Sequence, residues 1–126
     1  MTKKFDIVLD SEGDNLIPLT SVIHCVVIKI LGIDGEAGMR VIMDREGLLK
    51  VIPHVNKVIM ANGLGYDLPA FRRVWSIPYS VSANGKEDTW AGHPVTFIDT
   101  LHLSQFLSPD RGGHSVQAWA ERLTGV

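Results

Sequence analysis

One cysteine, Cys25, in 126 residues excludes an internal disulfide and fits a reducing compartment. Basic charge is not in excess either: 12 Lys and Arg against 14 Asp and Glu give a net charge of −2. No broad positive field advertises a nucleic acid, so any such role must rest on a local site. Long apolar runs are missing, because the longest, Val22 to Leu31, is interrupted by His24 and Lys29. Lys3 and Lys4 precede a strand too short for a signal-peptide core, and no small-residue cleavage site follows. Neither a targeting peptide nor a membrane span is expected, which makes the cytoplasm the expected compartment. Internal repeats and low-complexity tracts are also lacking. What remains is a single domain, 1–126, whose 45% hydrophobic content is ample for a core. Cys25 sits inside the apolar run and is expected as a buried thiol.

The chain is organised around FDIVLDSEGDNL, from Phe5 to Leu16. An apolar strand, Phe5 to Leu9, ends in Asp10 and Glu12, just before a Gly-Asp-Asn turn. Successive side chains of an extended chain point to opposite faces, so the spacing puts both carboxylates on one face. Two such acids at the end of a buried strand repel each other unless a cation sits between them. That is how a hard-metal site begins.

Two β-branched runs follow, Ser21 to Leu31 and Met39 to Met43, joined through a Gly-Ile-Asp-Gly turn signal, and together with the first strand they predict an antiparallel meander. Asp44 is suited to cap a short helix with Leu48, Leu49 and Ile52 inward, which Pro53 ends or kinks. Lys57 to Ala61 reads as a buried strand of the parallel type. From Tyr66, the residues Leu68, Phe71 and Trp75 recur at helical spacing, with Asp67 and Pro69 in the first turn. Ile77 to Pro94 reads as an exposed loop or small hairpin, in which Trp90 covers core or contacts a ligand. Val95 to Ile98 is a further strand and Leu101 to Leu107 a helix that stops before Ser108-Pro109. Ser115 caps a last helix striped by Val116, Trp119 and Leu123. The fold class is α/β: a mixed sheet of about five strands with flanking helices, the first strand central.

A second cluster, Asn62-Gly-Leu-Gly-Tyr66-Asp67, joins a buried strand to an amphipathic helix. Asp67 at a helix start can simply complement the helix dipole. Gly63 and Gly65 do not make a phosphate loop, because no Lys-Ser/Thr follows them.

Taken together, the order and spacing of these clusters resemble the proofreading 3′–5′ exonuclease domain of family A DNA polymerases, most closely those of short-tailed phages. The resemblance runs through Asp10-Ser11-Glu12 with Asn15 and Leu16, Ile23-His24-Cys25, and Asn62-x-x-x-Tyr66-Asp67 continuing Leu68-Pro69-Ala70. It goes on through Ile98-Asp99-Thr100-Leu101 with Leu103-Ser104, and Gly113-His114-Ser115 leading into Ala118-Trp119 and Arg122-Leu123. The resemblance implies an RNase H-like fold and hydrolysis of 3′-terminal nucleotides from single-stranded DNA. Two divalent ions, Mg²⁺ or Mn²⁺, roughly 3.5–4 Å apart, clamp the scissile phosphate in such a site. It implies that Asp10 bridges both ions, Glu12 binds the water-activating one and Asp67 supports the other. Leu16 would wedge against the terminal base, Asn62 and Tyr66 would hold the strand, and Asp99 would stand behind the ligands. The compartment it implies is the host-cell cytoplasm.

The family's third motif, Tyr-x-x-x-Asp on a final helix, supplies a fourth carboxylate, and this sequence does not contain it: Tyr79 is followed by Ser80, Val81, Ser82 and Ala83. The expectation is a crippled or inactive site unless a polymerase chain or another protein completes it and covers an open C-terminal side. His114 is expected to be structural and His24 to be a satisfied core histidine. A non-catalytic RNase H-like module that binds DNA or a replication or host protein is the rival expectation.

Overall fold

The structure, a computed structural model, describes residues 3–15, 17–82 and 87–101. The expected helices at Leu101 to Leu107 and after Ser115 lie almost wholly outside them, as do Leu16 and His114.

The first strand, β1 (Phe5–Gly13), is longer than its apolar residues suggest and carries Asp10 and Glu12 within it. Its odd positions, Ile7, Leu9 and Ser11, are buried, while Val8, Asp10 and Glu12 are exposed, so period-two alternation survives to the end of the strand. An antiparallel ladder with β2 (Ile23–Ile30) holds the acids extended, Asp10 opposite Val27 and Glu12 opposite Cys25. β3 (Met39–Ile42) pairs antiparallel with β2 and completes the expected meander.

Asp44 caps α1 (Arg45–Val51), its carboxylate accepting the Gly47 N–H at 2.7 Å. Leu48 and Ile52 are buried and Leu49 half-buried, and Pro53 sits in a single 3₁₀ turn that ends the helix. β4 (Val55–Met60) then runs parallel to β1. A π turn, Gly63–Asp67, leads into α2 (Leu68–Trp75). The segment after α2 forms a small antiparallel sheet of three short strands, β5 (Tyr79–Ser80), β6 (Thr89–Trp90) and β7 (His93–Pro94). Trp90 covers core: it is fully buried, stacked on Phe71 with ring centroids 6.1 Å apart and edge-on to Phe97 at 6.2 Å. β8 (Thr96–Asp99) pairs parallel with β4.

The main sheet has the order β3-β2-β1-β4-β8, mixed in direction, with β1 in the middle. One core joins the inward side chains of the sheet, among them Ile7, Leu9, Val26, Ile28 and Val58, to Leu48 and Ile52 beside α1 and to Leu68 and Phe71 of α2. The opposite face leaves Val8 39% and Val41 64% exposed.

Two expectations need correction. Cys25 is half-buried rather than core, because its register puts it beside Glu12 on the open face. His24 is exposed: Glu12 pairs with Cys25 but Gly13 with Ile23, which leaves His24 as the extra residue of a bulge and turns it outward. Among the described residues no helix is long and apolar enough to cross a membrane.

Candidate active site

Three parallel strands, β1, β4 and β8, deliver acids at their carboxyl ends: Asp10 and Glu12 on β1, Asp67 after β4, and Asp99 closing β8. The β1–β4 ladder stops at Val8 opposite Ile59, and the two chains then part. In open α/β sheets, divergence at the carboxyl ends is where a ligand crevice forms.

Asn62 starts the departure in the left-handed region, φ 59°, and its carbonyl accepts the N–H groups of Gly65 at 3.2 Å and Tyr66 at 2.9 Å. Asp99, 6% exposed, fixes the same turn by accepting the backbone N–H groups of Asn62 and Leu64, each at 3.0 Å, and of Leu101 at 2.9 Å. A buried carboxylate placed behind a turn in this way shapes the backbone that carries Asp67. Gly65 lies under the Asn62 amide, and a Cβ there would meet its Oδ1 at 2.4 Å.

Asp67 stands at the α2 start but makes no side-chain cap bond. Its carboxylate, 2% exposed, instead accepts the Ser11 backbone N–H at 3.2 Å and the Ser11 hydroxyl. Burial pushes its pKa up to about 6; the Ser11 hydroxyl bond opposes the shift, and the negative charges of Asp10 and Asp99 add to it. Asp10 and Glu12 stand exposed on the open face of the strand, whereas Ser11 turns to the helix side to meet Asp67.

The rim is a clamped loop. Asp14 accepts the Ser21 N–H at 2.9 Å, the Ser21 hydroxyl at 2.5 Å and the Val22 N–H at 3.0 Å, which holds its pKa well below the usual carboxylate range. The Asn15 carbonyl accepts the buried Thr20 hydroxyl and, at 3.2 Å, the Tyr66 hydroxyl. Arg73 Nε donates to the Thr20 carbonyl at 2.8 Å. Gly13 makes the approach of Tyr66 feasible, since a Cβ there would lie 2.6 Å from its hydroxyl and 2.9 Å from the Val22 carbonyl oxygen.

The site residues named from the sequence thus divide. Asp10 and Glu12 share the exposed face of β1, and Tyr66 is tied to the stretch after that strand by its bond to the Asn15 carbonyl. Asn62 and Asp99 belong to the turn beneath Asp67. Among the described residues, no group of three His, Cys, Asp or Glu side chains is placed to hold a metal ion. Ser11, Asp14, Thr20 and Arg73 also build the site, and of these only Ser11, inside the Asp-x-Glu, carries a local signal in the sequence.

No protein-family model matches the chain, and no curated protein matches it.

Proposed function

We propose that this chain is the 3′–5′ exonuclease part of a phage DNA polymerase, with an RNase H-like fold. The observation that carries the reading is that the ends of the adjacent parallel strands β1 and β4 bring Asp10 close enough to Asp67 for its charge to act there, with Glu12 beside Asp10 on the exposed face and β1 central in the sheet. The donors are carboxylate oxygens, which suit Mg²⁺ or Mn²⁺. The negative charges of Asp10 and Asp99 both raise the Asp67 pKa, so the three carboxylates share one neighbourhood.

In this reading Asp10 and Glu12 are the direct ligands, and Asp67, engaged by Ser11, acts through intervening water. Ser11 fixes the Asp67 carboxylate, and Asp99 holds the turn that presents it. Asn62 and Tyr66 hold the 3′ end of single-stranded DNA, and Leu16 would wedge the terminal base. Divalent ions, when bound, supply the activated water and stabilise the leaving 3′ oxygen. A second chain, a polymerase or other replication protein, contributes the fourth carboxylate, and the work is done in the host-cell cytoplasm.

The test is degradation of a 3′-labelled single-stranded oligonucleotide in Mg²⁺ or Mn²⁺, by the chain alone and with the polymerase chain added. Metal-dependent release of terminal nucleotides, lost in Asp10→Ala, is the expected result. No cleavage and no metal binding in either mixture would overturn it. A non-catalytic module binding DNA or a replication or host protein is the second reading. The engagement of Asp67 by both Ser11 donors on the buried side favours it.

A further inference from the structure

Two strands across the sheet from Asp10, with Val27 between Asp10 and Val41 in register, β3 is the last strand of the sheet and has β2 as its one neighbour among the described residues. Its side chains are unusually apolar for such a position: Met39 is 41%, Val41 64% and the following Met43 66% exposed. An uncovered edge with apolar side chains is a template for another strand. Beneath it, between the sheet and α1, lies a cavity of about 290 Å³ walled by aliphatic side chains, Ile28 and Ile42 from the strands and Val51 from the helix. Arg40, Lys50 and His54, all exposed, are its polar lining, and no carboxylate lines it.

The edge and the cavity meet at Arg40. One guanidinium nitrogen donates to the carbonyls of Ala37 at 2.7 Å and Met39 at 2.8 Å, which ties the group to the strand. Its other N–H groups have no partner among the described residues, and neither has the Lys50 ammonium. A second copy of the chain paired through β3 would bring another Arg40 and Lys50 to an edge whose cavity offers no acid. Charge therefore selects a different occupant.

We propose that β3 and its cavity dock an extended segment of a partner protein in which acidic and apolar residues alternate. The segment adds a strand to β3 through backbone hydrogen bonds, sets its carboxylates on Arg40 and Lys50 at the mouth of the cavity and lays its alternate, apolar side chains along Met39, Val41 and Met43 on the other face. The groups that dock the segment belong to β3 and α1, whereas the acids belong to β1, two strands away, so the proposal does not depend on what those acids do.

The probe is a displayed library of random nonapeptides panned against the chain, with enriched peptides resynthesised and measured by fluorescence anisotropy. Enriched sequences should alternate acidic with apolar residues and shift the amide resonances of Arg40, Val41 and Ile42. Arg40→Glu combined with Lys50→Glu should weaken them by roughly tenfold or more. Methylation of alternate peptide nitrogens, which leaves the protein untouched, should abolish binding. No enrichment, enrichment of neutral or basic sequences, or indifference to charge reversal or to N-methylation would each overturn the proposal. So would a concentration-dependent dimer joined through β3.

Discussion

Ser11 donates its backbone N–H and its hydroxyl to the carboxylate of Asp67, 56 positions further along the chain. The bond pair ties the end of the central strand to the last residue of the turn that follows β4. It also sets a balance, because burial disfavours the charge that the two donors favour.

That balance makes stability depend on pH. The folded value for Asp67, about 6, lies above the ordinary 3.8. Between the two, the folded protein retains a proton that the unfolded chain has released, so stability falls as pH rises through this window and levels off above it. The shift corresponds to at most about 3 kcal/mol. Asp67→Asn cannot titrate and should gain on the native protein as pH rises from 4 toward 7. Urea midpoints across that range check this, and parallel curves for the two proteins would contradict it.

Asp14 works in the opposite sense. Its lowered value means that its contribution is present above the ordinary carboxylate pKa and is lost only as pH falls through the lower folded one. Asp14→Ala removes all three bonds to Ser21 and Val22, so the amides of those residues should exchange faster at neutral pH while those of β1 stay protected. Hydrogen exchange read residue by residue decides it.

Gly13→Ala forces a methyl group against the Tyr66 hydroxyl and the Val22 carbonyl oxygen. A cost of about 1–3 kcal/mol is expected. Adding Tyr66→Phe takes away the hydroxyl and should recover part of the loss, leaving the clash with the backbone oxygen. A double-mutant cycle from denaturant unfolding measures the coupling; strict additivity would show that the two residues do not press on each other.

Asp99→Asn replaces one carboxylate oxygen with an NH₂ group, so at least one N–H of the Asn62–Leu101 set loses its acceptor. About 1–3 kcal/mol of destabilisation follows, with faster amide exchange at Leu64 or at Asn62 and Leu101. An unchanged unfolding midpoint would refute the role assigned to Asp99 in shaping the turn.

Much of the sheet was legible in local pattern. β-Branched runs marked β2 and β3, Asp44 marked the α1 start, and alternation put Asp10 and Glu12 on one face. Local pattern ends the first strand at Leu9 because acids are poor strand formers, a preference overridden here by the ladder to β2. The apolar flanks of His24 imply a core position, while the bulge that turns it out depends on a partner strand. Asp67 stands out in the sequence through its run with Asn62 and Tyr66, but its bond to Ser11 joins residues too far apart in sequence for any local pattern to announce.

The parallel strands have one more consequence. Lys3 and Lys4 precede β1, and Lys50 and His54 sit in and just after the last turn of α1, shortly before β4, whereas Asp10, Glu12, Asp67 and Asp99 lie at or beyond the strand ends. The opposite end is mixed in sign, since Asp6 shares a hollow with Lys3 and Lys4, but the four acids gather negative potential at the carboxyl ends of the strands, where a small cation collects, at low salt most of all.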